Sequence, residues 1–169
     1  MSEVPEVFRQ IAERMVEVTP QAAALGLRFV SVAHARGSLE APWREDLVGD
    51  PDTGVIASGV VTTLLDHTCG LAMAAAAGTE PFSTATLDLR IDYMRAAAPR
   101  TGVTCEAHCY KITRSIGFVR AEAWDVDRAD LVATAQAAFI LNRPTPEMIA
   151  TMSGHGQADR GPADQGAGA

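Results

Sequence analysis

Asp66 is the one formal charge between Val55 and Gly78. It sits within Val60-Val61-Thr62-Thr63-Leu64-Leu65-Asp66-His67-Thr68-Cys69, with no Lys or Arg a helical turn away to neutralise it. A carboxylate buried among apolar side chains is costly unless it is paired or hydrogen-bonded. An acid kept in such a place has the chemistry of a general base or a nucleophile. The plainer reading is a helix-interior Asp bonded to a Thr or to water. His67 follows directly and so points elsewhere around a helix, which argues against a working Asp-His pair. Arg95, Arg100, Lys111 and Arg114 cluster around strand ends and turns. An Arg fork suits phosphate, although each of the four is equally readable as a solvated surface charge. Cys69, Cys105 and Cys109 are odd in number and lack CxxC spacing. They read as free thiols in a reducing compartment, and metal ligation would need a tighter cluster.

The elements that must position these groups follow from periodicity. Val7, Phe8, Ile11, Met15 and Val16 predict an amphipathic helix over 5–18, ended by Thr19-Pro20. A short turn over 21–25 leads to a hairpin, with strands at 27–32 and 38–43. Residues 44–54 are dense in turn formers and predict a loop. A long apolar helix over about 57–77 follows, stopped by Gly78-Thr79-Glu80-Pro81. Its length approaches that of a membrane span. The polar residues crowding its first half, Asp66 above all, favour a buried helix of a soluble domain.

Strict alternation then begins. Thr84, Thr86, Asp88, Arg90 and Asp92 are polar, and Ala85, Leu87, Leu89, Ile91 and Tyr93 are apolar. This predicts a strand with one wet and one dry face, Thr86 on the wet one. Three more runs, 103–113, 116–126 and 131–141, are joined by hairpin-sized gaps. The expected order is helix, hairpin, loop, central helix and a four-stranded meander, an α+β layer architecture. The tail from Asn142 is rich in Gly and Pro, which predicts flexibility from about residue 152.

The net charge of −7 over 169 residues argues against a nucleic-acid backbone binder. The first residues lack the pattern of a secretory signal, and a cytoplasmic protein that binds no membrane is expected. The length suits one domain.

Taken together, Leu64-Leu65-Asp66 on a helix and Thr86-Leu87-Asp88-Leu89-Arg90-Ile91-Asp92-Tyr93-Met94-Arg95 on a strand resemble the hotdog-fold acyl-CoA thioesterases, in particular the phenylacetate-pathway branch. The likeness runs over about 24–141, which would be the hotdog domain, with 1–23 an N-terminal helix and connection and 142–169 a tail. It implies a curled antiparallel sheet around one helix. It also implies assembly through sheet edges into a homodimer or homotetramer, with acyl-CoA as substrate and no separate cofactor or metal. Sites in this family lie between subunits. Carried over, Asp66 is the catalytic carboxylate, Ser58 with Gly59 supplies the amides that polarise the thioester carbonyl, and Thr86 places a hydroxyl near the attacking water. Ala57, Arg95, Arg114 and Ser115 are the candidate substrate-binding residues, the arginines being read from their charge as partners for the coenzyme's phosphates.

Two departures stand out. The family's loop His-Gly-Gly is Ala57-Ser58-Gly59 here, and the position that often holds an amide side chain is Pro51. A backbone N–H survives such changes, while water positioning loses two groups. The leading expectation is therefore a thioester hydrolase. The alternatives are a non-hydrolytic acyl-thioester binding or regulatory protein and, third, a hydroxyacyl-thioester dehydratase, which wants a His facing a carboxylate.

Overall fold

The computed structural model describes residues 4–78 and 82–142. Two short helices come first, α1 (Glu6–Val18) and α2 (Pro20–Leu25), the second ended by Gly26 in the left-handed region (φ 67°). The hairpin β1 (Arg28–Ala33) and β2 (Arg36–Ala41) follows. The expected loop holds a 3-10 turn (Glu45–Leu47) and a small hairpin of β3 (Val48–Asp50) and β4 (Val55–Ile56). The central helix α3 spans Ser58–Ala77, and β5 (Ser83–Tyr93), β6 (Val103–Ile112), β7 (Ile116–Trp124) and β8 (Ala133–Asn142) complete the chain. The tail expected to be flexible lies outside the described residues.

Six strands form one antiparallel sheet in the order β1-β2-β6-β7-β8-β5. Only β6, β7 and β8 make the expected meander. β5 pairs with β8 and closes the far edge, and Met94–Gly102 returns the chain to the sheet centre. Side-chain character explains the difference. β6, β7 and β8 each carry an unbroken buried face, whereas β5 carries Asp88, Arg90 and Asp92 and buries none of its side chains, as suits an edge strand.

The inner face of the sheet is rich in small residues: Ala107, Ala121, Ala123, Ala135 and Ala137, with Cys105 and Cys109. They let α3 approach closely. At Gly37 a Cβ would fall 2.6 Å from Leu71 Cγ, and at Gly117 it would collide with the Met73 sulfur. α3 buries Val60, Val61, Leu64, Leu65, Thr68, Cys69, Leu71, Ala72 and Met73, which makes it the core helix of the domain. The three cysteines are buried and free, and burial pushes the Cys105 thiol up to about 12.

α1 turns Ala12 and Val16 to the core. Val7, Ile11 and Met15, expected on its dry face, are exposed, because its apolar arc is wider than the surface it covers.

A carboxylate and a bare helix start as a candidate active site

The approach to α3 is pinned before the helix begins. The carbonyl of Gly54, in the left-handed region (φ 73°), accepts hydrogen bonds from Trp43 Nε1 (2.9 Å) and the Arg100 N–H (3.0 Å). The Ala57 N–H donates to the Leu47 carbonyl (2.8 Å). Ala57 is the N-cap, extended (φ −64°, ψ 137°), with no side chain to cap the helix. Ser58 is therefore the first helical residue and not its cap. Among the described residues, the Ser58 and Gly59 N–H groups have no acceptor. Both residues are exposed. The helix thus presents free donors at its positive dipole end.

Three oxygens gather just behind these donors. Tyr93 Oη donates to the Ser58 carbonyl (2.8 Å), Thr62 Oγ1 donates to the same carbonyl (3.1 Å), and the two hydroxyls lie 2.8 Å apart. A cavity of about 310 Å³ opens beside them, lined chiefly by Val55, Ile56, Ala57, Val61, Tyr93 and Val132. Sequence reasoning read Tyr93 as an apolar strand residue within the family-like strand and gave it no part in the site. Its polar tip at the end of an alternating strand was the available signal.

Asp66 lies two turns along α3. Thr86 Oγ1 donates to Asp66 Oδ1 at 2.9 Å, so the two residues singled out separately in the sequence meet. This contact requires a β-bulge. Thr86 pairs with Phe139 and Asp88 with Ala138, leaving Leu87 as a surplus residue. Thr86 consequently shares the inner face with Leu89, Ile91 and Tyr93, while Asp88 and Arg90 face outward. The expected wet face of β5 is corrected here: alternation alone cannot register an inserted residue.

Asp66 is half-buried and not enclosed as its apolar context implies. It lies on the stripe Gly59, Thr62, Thr63, Asp66, His67 and Gly70, the side of α3 that its own sheet leaves incompletely covered. From Ser58 to Asp66 the helix rises about 12 Å at ~1.5 Å per residue. The carboxylate and the free amides of one chain are thus set two turns apart along the helix.

The other singled-out residues are more dispersed. Arg95 is committed to Asp125 (2.7 Å) and Asp130 (2.9 Å). Asp125 also accepts the Ala98 and Val126 N–H groups. The Arg95 guanidinium holds its carboxyl well below the usual range. This clamp fixes the connection after β5, so Arg95 serves the walls of the cavity and has little left for a phosphate. Arg114 and Ser115 occupy the exposed β6–β7 turn, toward the Met73 end of α3. Arg114 has no ion pair among the described residues. Pro51 lies exposed in the β3–β4 turn. Among the described residues no three His, Cys, Asp or Glu side chains are grouped to hold a metal ion.

Residues 53–132 match a family model described as the thioesterase superfamily. A solved Pseudomonas aeruginosa protein is 32% identical, with 79% of this chain and 98% of that chain covered and a TM-score of 0.71. Two more distant structures share the fold. A variant of the phenylacetic acid degradation protein PaaI from Thermus thermophilus is 23% identical, covering 74% of this chain and 99% of that one with a TM-score of 0.62. A Haemophilus influenzae thioesterase is 15% identical, covering 85% and 96% with a TM-score of 0.72. None of the curated proteins matches the chain.

Proposed function

Since this chain belongs to the thioesterase superfamily and has its hotdog fold, we propose that it hydrolyses the thioester of an acyl- or aryl-acyl-CoA at a site shared between two copies. Family membership supports acyl-thioester hydrolysis as the reaction type. The observation that carries the finer reading is the Thr86–Asp66 bond, which orients a half-buried carboxylate on the open stripe of α3 with its second oxygen unbonded among the described residues.

Asp66 takes the proton of a water that attacks the carbonyl carbon. The carbonyl oxygen becomes an oxyanion, held by the Ser58 and Gly59 N–H groups of a second copy. The C–S bond then breaks and the CoA thiolate takes up a proton. Direct attack by Asp66, giving an anhydride that water opens, uses the same groups. One donor aimed at an oxyanion contributes roughly 10²–10³ in rate, so amides without acceptors suit this role. A second copy supplies them, since the two groups of one helix stand about 12 Å apart along its axis at ~1.5 Å per residue. The open edge of β5, next to that stripe, is the natural joint. The coenzyme is the leaving part of the substrate, and Arg114, exposed and without an ion pair among the described residues, is the freer of the two arginines to meet its phosphates.

Subunit complementation tests the shared site. Asp66→Asn and Gly59→Pro should each abolish thiol release from acyl-CoA esters. Proline is tolerated in a first helical turn. Chains mixed after unfolding and refolding together should recover about a quarter of wild-type activity, since half the dimers would be mixed with one intact site of two. No recovery, or an active Asp66→Asn homodimer, refutes the reading.

A further inference from the structure

We infer that Tyr93, acting with Thr62, is a positioning residue that aligns and strengthens the Gly59 N–H as an oxyanion donor. This rests on the thioesterase reading and assigns a group that reading leaves idle. The Ser58 carbonyl and the Gly59 N–H are the two ends of one peptide unit, which is planar. Fixing the carbonyl therefore fixes the direction of the N–H. Two hydroxyls bond that carbonyl, Tyr93 at 2.8 Å and Thr62 at 3.1 Å, and they lie 2.8 Å from each other.

The position needs such a hold. Glycine is the least restrained residue, and a Cβ at Gly59 would meet nothing within 4 Å. The N-cap residue is Ala57, which provides no side-chain cap. Within the described residues, nothing in front of the helix orients this peptide, so the restraint comes from behind, through its carbonyl. The same bonds polarise the amide, because linked hydrogen bonds strengthen one another by roughly 10–30%. Tyr93 reaches the helix because the Leu87 bulge puts it on the inner face of β5, and the Arg95 clamp fixes the chain two residues later.

Tyr93→Phe keeps the ring and removes the hydroxyl. The expected result is a fall in kcat of about 3- to 10-fold with KM within 2-fold, since the donor is needed most when the oxyanion forms. Thr62→Val should act the same way, and Thr62→Ser should recover most of the loss relative to Thr62→Val. Backbone dynamics of Gly59 by ¹⁵N relaxation provide a readout independent of turnover: its order parameter should fall in Tyr93→Phe while that of Asp66 does not. An unchanged kcat in a wild-type-active background overturns the inference, as does a loss confined to KM, which would make Tyr93 a substrate contact. An unaltered Gly59 order parameter also overturns it. Absence of hydrolysis in the wild type itself defeats the thioesterase reading, and the Gly59 dynamics still decide the positioning role.

Discussion

At the scale of single residues, Asp66 was legible because its charge has no neighbour in sequence to explain it, and Thr86 because a family motif passes through it. Their 2.9 Å bond was not legible, since it depends on a bulge with no sequence mark. Tyr93 was missed for a related reason: a tyrosine on an alternating strand looks like packing until its oxygen is placed. Ala57 is where composition and geometry combine into a prediction. It lines the 310 Å³ cavity beside the free amides, so an imidazole there has room to face the substrate. Ala57→His should raise kcat on acyl-CoA by about ten-fold or more, given that a positioned acid–base group contributes roughly 10²–10⁴. Steady-state thiol release checks this. An intact fold with no gain would show that the site does not use the missing histidine's place.

At the scale of elements, α3 was readable almost to the residue. Turn formers precede it, an apolar run fills it, and Gly78 at φ 88° ends it. The buried alternation of β6, β7 and β8 was equally plain. The place of β5 was not, because neighbours in sequence are by default neighbours in space, and only the finished sheet puts β5 beside β8. The connection after β5 is held by Asp125, whose side chain is 2% exposed and accepts Arg95 and two backbone N–H groups. Its folded pKa is depressed, chiefly by the Arg95 bonds. The clamp therefore stabilises fully above the unfolded Asp value of ~3.9. Its contribution fades as pH falls below that value toward the folded pKa. Asp125→Ala should destabilise by about 3 kcal/mol at neutral pH. In denaturant titrations the gap to wild type should narrow as pH falls from about 4 to about 2. A gap independent of pH would mean that packing, not charge, holds the connection.

At the scale of the whole molecule, two stretches of the described residues turn apolar side chains outward. On one side α1 exposes Val7, Ile11, Met15 and Val18 at 52–67%. On the other, β5 is an open edge with Leu87 at 55% and Tyr93 at 46%, followed by Met94 at 59%. Composition could not reveal this, because apolar residues placed outward count the same as those placed inward. The β5 edge runs beside the stripe that carries Asp66, so assembly and activity should fail together. Leu87→Lys places a charge on that edge, a device that discourages pairing, without disturbing a buried group. Sedimentation should shift from dimer or larger to monomer, with thiol release falling at least ten-fold and circular dichroism unchanged. An active monomer would place the whole site within one chain.

The surplus residue in β5 makes inwardness a question of parity. Before Leu87 the even-numbered side chains look toward the helix; after it the odd-numbered ones do. Removing one residue there would barely alter the strand's composition, yet it would swing the Thr86 hydroxyl away from Asp66 and out to water. Two relatives aligned without a gap at that point would match an outward threonine to an inward one, so counting residues is no substitute for knowing where the strand skips a beat.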